Sequence, residues 1–174
     1  MNFLEANGDS LVFLIEPRGK ALLEKLCQQF PALEVTHFDL CRTMDEDELP
    51  DGRELADQSL TEEQNEVRER MAKFFTEEGR FETMENFLLM RMTTAEVDLL
   101  LQVLNDVRIG CWVRAGSPSE GAEDRLRSNP KTAPLLATMQ LCGLFQGALL
   151  DGLHRRKNPS SSEDEGFDLE DLQN

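Results

Sequence analysis

Four polar side chains in the middle of the chain offer the clearest chemistry. Asn105, Asp106, Arg108 and Trp112 interrupt a leucine-rich run. At helical spacing Asn105, Arg108 and Trp112 fall at i, i+3 and i+7, on one face with Leu101. An arginine emerging between Leu104 and Cys111 is expected to be partly buried, and a buried guanidinium needs a partner. The ordinary expectation is a structural ion pair or hydrogen-bond hub. The functional alternative is a contact to an anion or a peptide carboxylate, which a planar fork of donors suits. Neither defines a reaction.

Other reactive residue types are sparse. Cys27, Cys41, Cys111 and Cys142 show no paired spacing. Cys111 and Cys142 are the redox candidates if the last two long helices pack together, although both sit among apolar neighbours, where free cysteine is usually inert core. His37, Asp39 and Cys41 lie within five residues, but no second cluster completes a structural metal set, and the only other histidine is His154. No serine elbow lies near either histidine, and Arg18-Gly19-Lys20 is too short for a phosphate loop. The expectation is therefore no catalytic residue, no metal and no cofactor.

The elements that would carry these residues follow from periodicity and punctuation. Phe3-Leu4, the turn Asn7-Gly8-Asp9 and the run Leu11–Ile15 predict a β-hairpin. Pro17 opens a helix over 18–29, closed by Pro31. Residues 31–60 lack a period and read as a loop. Thr61-Glu62-Glu63-Gln64 has capping-box spacing and predicts a helix from Thr61 to Gly79. Residues 86–92 fit a strand or a helix end, with strand preferred. A second capping box, Thr93 with Glu96, predicts a helix to about Ala115, broken by Gly116-Ser117-Pro118. After a polar connection with room for a short helix, a last helix runs from Ala133 to Arg155, ending in basic residues that suit its dipole. The expected fold class is mainly α: a helical bundle with a small N-terminal β-hairpin and 86–92 as candidate third strand.

Charge divides the chain. Its 174 residues carry a net −16, which argues against phosphate-backbone binding and so against nucleic acid. Residues 39–63 hold ten acids and two arginines, and residues 158–174 hold six acids and no base. The expected organisation is one folded domain over 1–157, an acidic loop around 39–60, and a disordered acidic tail over 158–174. In that tail Phe167, Leu169 and Leu172 alternate with acids and are candidate docking anchors, with the acids steering toward a protein partner of basic surface. No secretory signal is apparent and the cysteines are unpaired, so a cytoplasmic location is expected. Thr132–Leu150 is free of charge and long enough to span a bilayer, but its glutamines, glycines and proline favour a buried core helix over a membrane segment. Gly143 and Gly147 have small-xxx-small spacing, which close packing of two core helices or homodimerisation would explain.

The third predicted helix also carries a resemblance. Leu104-Asn105-Asp106-Val107-Arg108-Ile109-Gly110, followed later by Leu144-Phe145-Gln146-Gly147-Ala148-Leu149, resembles an uncharacterised bacterial, actinobacterial-type family with a leucine-asparagine-aspartate-x-arginine motif. Members are often encoded beside the adaptor of the Clp protease, which implies a role in regulation or proteolysis. The family carries no established catalytic residues. The Cys111-Trp112 pair and both acidic segments depart from it. The combined expectation is a non-enzymatic regulatory or adaptor protein acting through protein contacts. The alternatives are a thiol redox sensor using Cys111 and Cys142, or an enzyme of unknown class.

Overall fold

The computed structural model describes residues 1–32 and 50–158, with side chains omitted for 50–56. The hairpin forms as its turn chemistry requires. Strand β1 (Asn2–Asn7) pairs antiparallel with β2 (Ser10–Ile15), and Gly8 takes φ +61°, a left-handed conformation that costs glycine nothing. Pro17 occupies the first turn of α1 (Pro17–Cys27), whose inner face is Leu23, Leu26 and Cys27.

The second helix, α2, spans Pro50–Thr76. It begins eleven residues before the expected cap at Thr61. Thr61 lies in mid-helix, where its hydroxyl donates to the Asp57 carbonyl at 2.7 Å. The acidic loop expected over 39–60 is thus helical from residue 50 onward. A proline, which is tolerated in a first helical turn, supplies the start.

Two further strands follow, β3 (Phe81–Met84) and β4 (Phe87–Thr93), joined by a tight turn at Glu85, φ +50°. β4 pairs with β2 and β3 with β4, giving one antiparallel sheet of order β1-β2-β4-β3. The fold is therefore mixed α/β, which corrects the expected helical bundle with a small hairpin. The strand preferred over 86–92 is present as β4. Its partner β3 was hidden, because four residues are too few to display an alternation and the turn Glu85-Asn86 lacks a glycine.

β4 runs directly into α3 (Thr94–Arg114), and Thr93 serves as its N-cap. The Thr93 hydroxyl accepts from the Glu96 amide while the Glu96 carboxylate accepts from the Thr93 amide, completing the capping box. A short α4 (Glu123–Ser128) and the long α5 (Ala133–Lys157) complete the chain.

The core lies between the sheet and the helices. Leu11, Phe13 and Ile15 of β2 share a face with Met90 and Met92 of β4, since Phe13 opposes Met90 and Leu11 opposes Met92. Against them pack Leu100, Leu104 and Val107 of α3 and Cys142, Phe145 and Leu149 of α5. Each such fully buried leucine or phenylalanine contributes roughly 1.5–3 kcal/mol of transfer free energy. Gly152 sets the approach of α5 to the sheet: a Cβ there would lie 2.6 Å from the Phe13 ring and 2.9 Å from Phe3. By length and composition α5 could cross a bilayer. One face of it packs on the core through Leu136, Cys142, Phe145, Leu149 and Gly152. Only 22% of its apolar stretch is buried, and Leu144 and Leu150 are exposed, so the helix is not the buried core helix expected.

Candidate functional site

The motif on α3 splits into two faces. Asp106 points toward the segment leaving α1, where its Oδ1 accepts the Ala32 amide at 2.7 Å. One turn later Gly110 lets that segment close in, since a Cβ at Gly110 would lie 2.5 Å from the Ala32 Cβ. Asp106 and Gly110 therefore hold Ala32 together, one by a charge-assisted hydrogen bond and one by vacating space. The chain is thus fixed beside α3 just after Phe30.

Asn105, Arg108 and Trp112 lie elsewhere. Arg108 is exposed, not partly buried, and donates to Asn105 Oδ1 at 3.2 Å. Trp112 donates its indole N–H to the Pro118 carbonyl at 3.2 Å and so clips the end of α3 to the following loop. These three residues form local surface contacts. The four-residue hub expected from sequence is not assembled, because Asp106 sits about 100° around the helix from Asn105.

The Asp106 face opens into a groove of about 280 Å³ between α2 and α3. Its apolar lining is Phe30, Leu60, Val67 and Val103, of which Val103 is fully buried. Its polar lining is Glu63, Gln64, Gln102 and Asp106. Glu63 and Gln102 are exposed and form the rim, whereas Asp106 is half-buried. Burial pushes the Asp106 carboxyl above its ordinary value, and the Ala32 hydrogen bond opposes that rise only in part. Among the described residues no cation pairs with Asp106 and no donor other than Ala32 reaches it. Composition alone singled out Asp106. Of the groove partners on α2, Leu60 fell in the stretch read as loop, while Glu63, Gln64 and Val67 fell in the predicted helix but nothing in the sequence placed that helix beside Asp106. The spacing of Leu60, Glu63, Gln64 and Val67 along one helix face was the available signal.

A second hollow of about 410 Å³ lies where β1 meets the end of α5, lined by Phe3, Leu4, Ala6 and the two arginines Arg155 and Arg156 among others. Its cations are already engaged. Arg156 donates to the Gly8 carbonyl at 3.0 Å and to the Thr94 hydroxyl, and pairs with Asp9 at 3.3 Å. Arg155 pairs with Asp151 at 3.0 Å.

The thiols are core residues. Cys27, Cys111 and Cys142 are free and buried. Burial, with the neighbouring Cys142 adding to it, pushes the Cys27 thiol up to about 12, and burial together with Cys111 pushes Cys142 up to about 11. Cys111 is raised by burial as well, against the pull of Arg114. Among the described residues no three His, Cys, Asp or Glu side chains gather as a metal site would require. His37, Asp39, Cys41 and the tail anchors Phe167, Leu169 and Leu172 lie outside the described residues. A Cβ at Gly143 or Gly147 would meet nothing among the described residues, so of the two expectations for them, packing of core helices is not what they serve there; Gly110 and Gly152 make the close approaches instead. Between them Leu144 stands 71% exposed. Compared with family models, curated proteins and solved structures, the chain matches none.

Proposed function

We propose that this chain is a non-enzymatic regulatory or adaptor protein that acts in the cytoplasm by holding a protein partner with a basic surface. The observation that carries the reading is the α2–α3 groove: apolar at its base, with carboxylate and amide at its polar lining. Such a lining offers a docked chain apolar contact at its base and acceptors at its edge. The net −16 supports a basic partner and opposes nucleic acid. The resemblance to the bacterial family encoded beside the Clp adaptor fits a regulatory role. Burial of Cys111 and Cys142 and the raised pKa of both thiols count against the redox alternative, since a sensor thiol is exposed and readily ionised.

The test is affinity capture from native lysate with three forms: the full chain, residues 1–158, and the Gln102→Arg variant. Gln102 is exposed and one helical turn from Asp106, so an arginine there occupies the groove from within while sparing the core. A partner retained by 1–158 and lost by Gln102→Arg is expected. A partner lost by the truncation and retained by Gln102→Arg would move the function to Phe167, Leu169 and Leu172. No specific partner in any form would overturn the adaptor reading.

A further inference from the structure

We infer that the α2–α3 groove receives an arginine side chain of the partner protein, with the aliphatic stem against Leu60 and Val67 and the guanidinium at Asp106 and Glu63. The inference rests on the adaptor reading and names what the groove recognises.

Charge comes first. Among the described residues the groove presents two carboxylates and no cation, and residues 57–67 of α2 add Asp57, Glu62 and Glu66 without a single base. Elsewhere the sheet and helix ends show carboxylates that do have arginine partners: Glu77 and Glu96 with Arg80, Glu82 with Arg91, Asp151 with Arg155. Glu63 and Asp106 have no such partner among the described residues, a state they share with other acids of α2, but Asp106 is half-buried rather than fully solvated. Repulsion among them is relieved by a cation from outside.

Geometry narrows the cation. The Ala32 amide fixes Asp106 through one oxygen and leaves the other to accept. An acceptor already oriented spends little freedom on binding. Gln64 and Gln102 also line the groove and each carries a carbonyl acceptor. Five N–H donors in a rigid plane match several convergent acceptors better than the point charge of lysine. The long stem of arginine also covers apolar wall while its head stays at the polar rim.

Size and net charge choose the source. At about 280 Å³ the groove is smaller than the general range for small-molecule sites, and it suits a single long side chain. A free arginine brings its own carboxylate into an acidic surface, whereas an arginine within a chain brings only the cation.

The probe is N-acetyl-arginine N-methylamide, titrated into the full ¹⁵N-labelled chain and compared with the citrulline analogue, which has the same length and shape without the charge. Amide shifts centred on Gln64, Val67, Gln102 and Val103 are expected, with the citrulline compound about tenfold weaker. Asp106→Asn keeps an acceptor for Ala32, so the rest of its spectrum should be unchanged while arginine binding falls about tenfold. Glu63→Gln should give a smaller loss. Equal shifts from both compounds, an Asp106→Asn variant that binds as the parent does, or shifts centred on Leu4 and Arg155 would overturn the inference. If Gln102→Arg still loses a captured partner while the arginine probe shows no preference, the inference fails and the adaptor reading stands. If the probe binds at Asp106 and no partner is captured, the adaptor reading fails instead, and with it the assignment to a partner's side chain.

Discussion

Two hollows lined by described residues are opposites in how they treat charge. Beside β1, the larger hollow is lined by Arg155 and Arg156, and both arginines are consumed by contacts within the chain. Between α2 and α3, the smaller one is lined by Glu63 and Asp106, and no cation of the described chain answers them. Volume alone would point to the first. Pairing points to the second, because a charge already satisfied gains little from a ligand, whereas an oriented and unpaired one has free energy still to release. The first hollow is scaffold: Arg156 ties the end of α5 to the β1–β2 turn and to the start of α3. The second is the surface we propose to be the binding one.

That contrast can be broken by mutation, and the largest effect is expected on the scaffold side. Arg80 is 12% exposed, bonds Glu96 and Glu77, donates to the Arg91 carbonyl at 2.7 Å and lies 4.7 Å from the Phe74 ring centroid. Arg80→Ala removes all of these and leaves Glu96 with only its Thr93 hydrogen bonds, and should cost about 2–3 kcal/mol in urea unfolding. Burial pushes the Glu96 carboxyl up, but the Arg80 guanidinium and the Thr93 amide and hydroxyl outweigh it and hold it below the ordinary value of 4.5. The contribution of Glu96 is therefore present above its unfolded pKa and lost as pH falls through the lower folded one. The gap between parent and Arg80→Ala should narrow in that acidic window. A constant gap down to low pH would contradict the pairing.

A smaller loss, about 1–2 kcal/mol, is expected for Arg156→Ala, which unties α5 from Gly8, Asp9 and Thr94. It should leave binding of the capped arginine unchanged; weakened binding would blur the distinction between the two hollows. Thr93→Ala removes the side-chain half of the capping box and should cost about 1 kcal/mol by thermal or urea unfolding.

On the groove side the effect on stability should nearly vanish. Asp106→Asn keeps the Ala32 acceptor and removes a desolvated charge, so stability at pH 7 should be equal or higher by at most about 1 kcal/mol. The sign follows from the raised folded pKa. The ionised carboxylate costs stability above that pKa, and the cost is relieved as pH falls through it and is gone below the unfolded value of 3.8. Any advantage of the asparagine should disappear over the same interval. A clear loss at pH 7 would instead make Asp106 a structural tie alone.

The legible and illegible parts of this molecule differ for physical reasons. The first hairpin announced itself through Asn7-Gly8-Asp9, and α3 through a capping box followed by regular leucines, because both signals are local. The second hairpin did not: Glu85 occupies a positive φ without being glycine, and Phe81–Met84 is too short to reveal a period. The start of α2 was masked by its own acidity, since a run of like charges ordinarily opposes compaction. At the site, sequence singled out Asp106 and placed it with Asn105, Arg108 and Trp112. Its actual neighbours, Ala32 and the α2 face, come from segments far away along the chain. The purpose of Gly110, which is room for Ala32, is likewise visible only in three dimensions.

The most direct test of the contrast is site-specific photo-cross-linking in the native cell. A photoreactive residue is placed at Gln102, on the rim of the acidic groove, and in a second chain at Leu4, in the hollow beside β1. We expect one discrete cross-linked partner from position 102, abolished by Asp106→Asn, and none from position 4. The same partner from position 4, with none from position 102, would show that the paired arginines are the working surface and the groove is not.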